Sequence, residues 1–217
     1  MNTEMSNSRM LTAEEQSKLT PAQVIVALKQ GNKVFANNNL TVKNSIERVR
    51  DAAEKQHPMA VILSCMDSRV PVENIFYCGV SDIFVIRIAG NIVNPDILGS
   101  MEYACKVSGS KLVVVMGHGC CNAIKSAIDD KEFGNIAGLL NKIKPAVNQS
   151  KINFKGEVKS SNTAFVEIVC HANIELTVNE IRKNSPILEE MEDRGEIKIV
   201  GAVYDIYSGK VKFFENI

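Results

Sequence analysis

The chain has 217 residues with 25 basic and 25 acidic side chains, so its formal net charge is zero. Hydrophobic residues make up 45%, which suits a globular domain with a sizeable core and excludes a disordered chain. Balanced charge argues against a generic nucleic-acid binder, and no apolar run approaches the roughly 20 residues of a membrane span.

The N-terminal "MNTEMSNSRMLTAEEQ" is polar and lacks the apolar core of a signal peptide. Residues 1–20 are expected to form a loose arm, followed by one cytoplasmic domain over 21–217. In "TPAQVIVALKQGNKVFANN", Thr20 is a plausible N-cap and Pro21 fits the first helical position. Val24, Ala27, Leu28 and Phe35 share one face of that helix. A short polar helix is expected at about 45–55. Three β-branched-rich runs follow, "MAVILS" (59–64), "DIFVIRIA" (82–89) and "KLVVVMG" (111–117). They read as buried parallel strands. Helical patterns at about 72–77, 96–108 and 122–131 separate or follow them. Alternation of this kind predicts an α/β fold: a mostly parallel central sheet with helices on its faces. Further helices are expected at 135–148 and 161–184, and Pro186 opens a short one. The tail "IKIVGAVYDIYSGKVKFFEN" predicts two strands joined by a turn, giving an antiparallel C-terminal edge strand.

Chemistry-bearing residues gather at two predicted strand ends. Cys65, Asp67 and Arg69 follow the first run in "SCMDSRVP", and "GHGCC" (117–121) ends the third. In a parallel sheet both motifs lie at the C-terminal edge, where open α/β folds place ligands. Cys65, His118 and one cysteine of the pair Cys120 and Cys121 would then converge, a donor set suited to zinc with one coordination position open. A lone cysteine at a strand end is more often a small buried hydrophobe, and an Asp–Arg pair more often a structural salt bridge. Beside a metal, the arginine would keep the carboxylate ionised while the carboxylate orients metal-bound water. The same carboxylate could instead occupy the fourth position. The six cysteines (65, 78, 105, 120, 121 and 170) are expected to be reduced.

The paired motifs "CMDSR" (65–69) and "HGCC" (118–121) resemble the C-x-D-x-R and H-x-x-C signature of the β-class carbonic anhydrases. The intervening "RVPVENIFYCGVSDIFVIRIAGNIVNPDILGSMEYA", the opening "TPAQVIVALKQGNKVF" and the closing "GAVYDIYSGKVKFF" are similar to that family too. The resemblance implies a zinc-dependent lyase that hydrates CO2 reversibly to bicarbonate and a proton by zinc-bound hydroxide. It implies one zinc per subunit on Cys65, His118 and Cys121, with H-x-x-C selecting Cys121 over Cys120. Asp67 and Arg69 match the catalytic dyad, and Gln56, Phe84 and Tyr103 match the substrate residues of the plant-like, open-site pocket. The other pocket type carries a Trp where this chain has Ile62, and the chain has no Trp. A homodimer or tetramer is implied, with pockets at the dimer interface that take Gln56 from one subunit and Phe84 and Tyr103 from its neighbour.

The chain departs from the family at Asn122, where the usual Gly would allow close backbone approach or a permissive backbone angle and Asn is the next most tolerant of the latter, and at Tyr77 and Cys78, which receive no role. His57 reads as a surface histidine, with proton shuttling the lesser alternative. His171 and Cys170 diverge on a helix and make a poor chelating pair. Rival readings are a CS2 or COS hydrolase on the same scaffold, a non-enzymatic zinc-stabilised binding module, and a thiol-redox protein using Cys120–Cys121. Vicinal cysteines are poorly placed for an ordinary disulfide, and no C-x-x-C motif is present.

Overall fold

The computed structural model describes residues 9–39 and 45–214. Its first helix, α1 (Ala13–Ser17), is closed by a capping box between Thr12 and Glu15. Gln16 of α1 is buried and donates from Nε2 to the carbonyls of Pro58 and Ser108, both at 2.8 Å. The described part of the expected arm therefore contacts the domain.

Thr20 and Gln23 form a second capping box at the start of α2 (Pro21–Ala36). Val24 and Leu28 of α2 are buried, and so is Asn32. Asn32 donates to the carbonyls of Ile75 and Gly209 and accepts from the amide of Val211, which ties α2 to a short helix ending at Ile75 and to the C-terminal hairpin. Next comes α3 (Ile46–Asp51), shorter than expected, whose Arg48 is buried against Asp82 and the carbonyl of Val80.

Three parallel strands follow with their helices: β1 (Ala60–Ser64), α4 (Val72–Ile75), β2 (Ile83–Arg87), α5 (Pro95–Glu102) and β3 (Leu112–His118). The expected 96–108 helix ends as a π-helical turn over Tyr103–Val107. After β3 come α6 (Asn122–Ile128), α7 (Gly134–Leu140) and α8 (Lys144–Lys151). The single helix expected over 135–148 is thus two helices. Pro145 lies in the first turn of α8, where its missing N–H costs nothing; inside a longer helix it would clash with the preceding turn. The chain closes with α9 (Thr163–Asn184), α10 (Pro186–Asp193), β4 (Lys198–Tyr204) and β5 (Val211–Phe213).

The sheet order is β2-β1-β3-β4-β5. All neighbours are parallel except β4 and β5. Only β5 of the C-terminal hairpin lies at the edge, because β4 pairs with β3 in parallel along its whole length. β1 and β3 are buried at every position, and clusters of apolar side chains pack both faces of the sheet. No helix among the described residues is long and apolar enough to cross a membrane.

Candidate metal centre

From β1 the chain moves to β2 on one side; from β3 it moves to β4 on the other. Strand order therefore reverses between β1 and β3, and a crevice opens at their C-terminal ends. Cys65 is the first residue after β1, His118 the last of β3, and Cys121 the N-cap of α6. Their ligand atoms all lie within 4.8 Å of one another, and all three residues are buried. Cys120, the other member of the pair, is partly exposed and lies outside this cluster.

The donor atoms are presented in a form that fits a divalent ion. His118 Nδ1 lies 2.9 Å from the Gly119 carbonyl. A carbonyl only accepts, so Nδ1 carries the proton and Nε2 offers a lone pair. That Nε2 is buried and has no hydrogen-bond partner among the described residues, a cost that a metal bond removes. The Cys65 and Cys121 sulfurs are 3.9 Å apart. Hydrogen bonding from the Cys121 thiol lowers the Cys65 pKa, while the same contact and burial push Cys121 up. The Gly90 amide also donates to Cys65 Sγ at 3.4 Å. Only a nearby cation would let both sulfurs ionise, and two thiolates with one imidazole suit zinc.

Asp67 and Arg69 stand beside this cluster. Arg69 donates from its backbone N–H and Nε to Asp67 Oδ1, at 3.0 and 2.9 Å, and from Nη2 to Oδ2 at 2.7 Å. These bonds hold the Asp67 carboxyl well below the usual carboxylate range. Asp67 Oδ2 also faces His118 Nε2 at 3.9 Å, so the ionised carboxylate borders the site without entering it. Arg69 Nη2 further reaches the Cys120 carbonyl at 3.3 Å. Arg87, at the end of β2, donates to the carbonyls of Cys65 and Asp67 at 3.1 and 2.6 Å, fixing the backbone between the two functional side chains.

Phe84 and Tyr103 line one open groove of ≈ 690 Å³ beside β2, together with Val61, Ile86 and Pro95. Gln56 lies on an exposed loop and does not line it. Within one chain the three substrate candidates are thus divided. The turn residue with the positive φ is Cys120 (φ 56°), while Asn122 begins α6 and is absent from the positive-φ residues. Of the two uses open to a residue at 122, a permissive angle is therefore not the one made here; the turn places it at Cys120. His171 stacks on Phe214 with ring centroids 5.1 Å apart. Sequence reading missed Gly90, Arg87 and Asn173. Gly90 alone carried a signal, as a glycine in a strand-to-helix connection.

An open α/β sheet with a buried Cys–His–Cys donor cluster at its switch point defines an α/β-class protein with a candidate metal site. The family model described as carbonic anhydrase matches residues 60–211. A carbonic anhydrase of Mycolicibacterium smegmatis is 31% identical over 198 residues, covering 88% of this chain and 92% of that protein. Carbonic anhydrase 2 of Mycobacterium tuberculosis is 30% identical, covering 91% and 94%. The chain belongs to the β class of the carbonic anhydrase family and is a lyase. Its fold matches a tetrameric β-carbonic anhydrase of Sordaria macrospora with a TM-score of 0.69 at 22% identity, covering 89% of this chain and 94% of that one. It also matches a Coccomyxa β-carbonic anhydrase solved with acetazolamide, with a TM-score of 0.70 at 22% identity and 89% and 85% coverage.

Proposed function

We propose that the protein hydrates CO2 reversibly to bicarbonate and a proton, using one zinc ion held by Cys65, His118 and Cys121. The observation that carries this reading is the buried set of three donors within 4.8 Å whose imidazole Nε2 has no other partner. Zinc supplies, when bound, Lewis acidity that brings the pKa of water from about 15.7 toward neutrality.

The chain's own residues do the rest. Asp67 stays ionised, and its Oδ2 accepts from Arg69 Nη2, so a second lone pair remains to accept from the attacking water and aim its oxygen at carbon. Arg69 holds Asp67 by three bonds and keeps the carboxylate out of the ligand set. Phe84 and Tyr103 provide an apolar wall for a linear, nonpolar substrate. Gln56 of a second copy donates its amide N–H to the developing bicarbonate oxygen. The active form is accordingly a homodimer or a tetramer built from such dimers. Metal-free protein should lack hydratase activity and regain it with one zinc per chain, while Cys65→Ser should bind no zinc and stay inactive. Wild-type hydration by metal-free protein, or full zinc content in Cys65→Ser, would overturn the proposal.

A further inference from the structure

Behind the donor cluster lies α9, whose Cys170 and Asn173 sit three residues apart on one buried face. Asn173 Nδ2 donates to the Gly90 carbonyl at 2.9 Å. The Gly90 N–H in turn donates to Cys65 Sγ. Gly90 has a φ of +71°, and a Cβ there would lie 2.6 Å from Ile143 Cδ1. Its backbone conformation is therefore tightly set, and the bond at its carbonyl fixes the direction of its amide. Cys170 Sγ donates to the His118 carbonyl at 3.4 Å. Such close approach of α9 to β3 depends on Gly117, where a Cβ would lie 2.7 Å from Ile174 Cδ1 and 3.1 Å from Cys170 Sγ.

We propose that Asn173 and Cys170 are positioning residues for the metal centre: from one face of α9 they lock the carbonyls of Gly90 and His118, and so hold Cys65 and His118 in ligand geometry. The inference rests on the zinc reading above. Stability alone does not account for Asn173. It is 1% exposed, and its Oδ1 has no hydrogen-bond partner among the described residues. A leucine of similar shape would fill the same space without burying an unpaired oxygen. The amide orientation is fixed as well, because the opposite one would set two carbonyl-type oxygens face to face. What the side chain does provide is one donor, delivered to the residue whose N–H meets a ligand sulfur. Cys170 acts in parallel, its S–H donating to the carbonyl of His118, which as an acceptor fixes the direction of the bond.

The test compares zinc affinity of the metal-free variants by competition with a chromogenic chelator, the sulfur-to-cobalt charge-transfer band of the Co2+-loaded forms, and thermal stability without metal. Val178→Ala, a buried truncation further along the same helix, five residues beyond Asn173, controls for a weakened α9. Asn173→Leu and Asn173→Asp should lose about 10- to 100-fold in zinc affinity and shift the cobalt band. Val178→Ala should lower the melting temperature and leave both unchanged. Cys170→Ala should show a smaller loss, restored by Cys170→Ser, which keeps a donor; this pair serves if the Asn173 variants do not fold. Wild-type zinc affinity in the Asn173 variants, or in Cys170→Ala, overturns the positioning role. Cys65→Ser separates this from the underlying reading. If it loses zinc while the α9 variants bind normally, only the positioning role fails; if it retains zinc, the zinc centre itself fails.

Discussion

Replacing Asp67 by asparagine removes a charge without changing shape, and the geometry dictates how the amide must sit. Arg69 offers three donors, two to Oδ1 and one to Oδ2. Asparagine has one acceptor oxygen. Placed where Oδ1 was, it keeps two bonds and turns its NH2 toward Arg69 Nη2; the reverse keeps one and sets the NH2 against two donors. The first orientation costs less, so a donor replaces Oδ2, 3.9 Å from His118 Nε2. One charge-assisted bond is lost, worth about 1.5–3 kcal/mol when shielded. The Arg69 side chain is 47% exposed, so the net loss is about 1 kcal/mol or less, a fall of roughly 2–4 °C in melting temperature for a chain of this size. The catalytic loss is far larger. A donor at this position cannot accept from the attacking water and competes for its lone pair, and loss of such a proton-handling group typically costs about 10²- to 10⁴-fold. Zinc content, stopped-flow CO2 hydration and thermal melting measure the three quantities separately. Turnover within about 10-fold of wild type with zinc retained would refute the orienting role. Loss of zinc would show that Asp67 supports the metal instead.

The depressed pKa of Asp67 has a signed consequence for stability. A carboxylate whose folded pKa lies below its unfolded value of about 3.9 contributes fully above that value and loses the contribution as pH falls toward the folded one. The stability gap between metal-free wild type and Asp67→Asn should hold steady from about pH 5 to 9 and shrink below about pH 4; chemical denaturation across pH checks this, and a gap fading between pH 5 and 8 would refute it. Gly117→Ala places a methyl 2.7 Å from Ile174 Cδ1. It should cost about 1–3 kcal/mol by overpacking, or roughly 2–12 °C in melting temperature, and an unchanged melt would show that α9 is not pressed against β3 there. Tyr103 is 57% exposed and Val107 67% on the π-helical turn beside the groove. Tyr103→Arg should shift the assembly toward monomer in analytical ultracentrifugation and lower hydration with zinc retained; unchanged assembly would place the dimer contact elsewhere.

The strands were readable because strands buried on both faces are near-continuous apolar runs, and β1 and β3 are such runs up to the polar Ser64 and His118 at their ends. β2 reads the same way, yet is only half-buried in a single chain, because it lies at the sheet edge beside the groove. Sheet order was not readable, and it decides that β4 is an inner strand. The break at Pro145 was available from local chemistry. Buried Asn32, Arg48 and Gln16 were not, since their partners lie 32 to 179 residues away. The same division holds at the site. Cys65, His118 and Cys121 announce themselves by type and spacing, because ligand atoms must be side chains. Gly90 and Asn173 act through one backbone carbonyl across 83 residues, and nothing in either residue's local sequence carries that contact.

A charge argument links these layers. Buried ions survive only when paired and hydrogen-bonded. Asp67 and Arg69 already form a neutral pair at the rim, where Arg69 is half exposed, so neither charge is left for a metal to compensate. The deeper pair of sulfurs is different. At 3.9 Å they cannot both ionise alone, whereas a dication neutralises both thiolates and takes the lone pair of His118. With both sulfurs ionised, the centre is neutral as a whole only when a doubly charged ion is in place, and the Asp67–Arg69 pair at the rim is neutral without it. Division of labour between Cys65 and Asp67, two residues apart, follows from depth: the thiol points into the protein and the carboxylate lies at its edge.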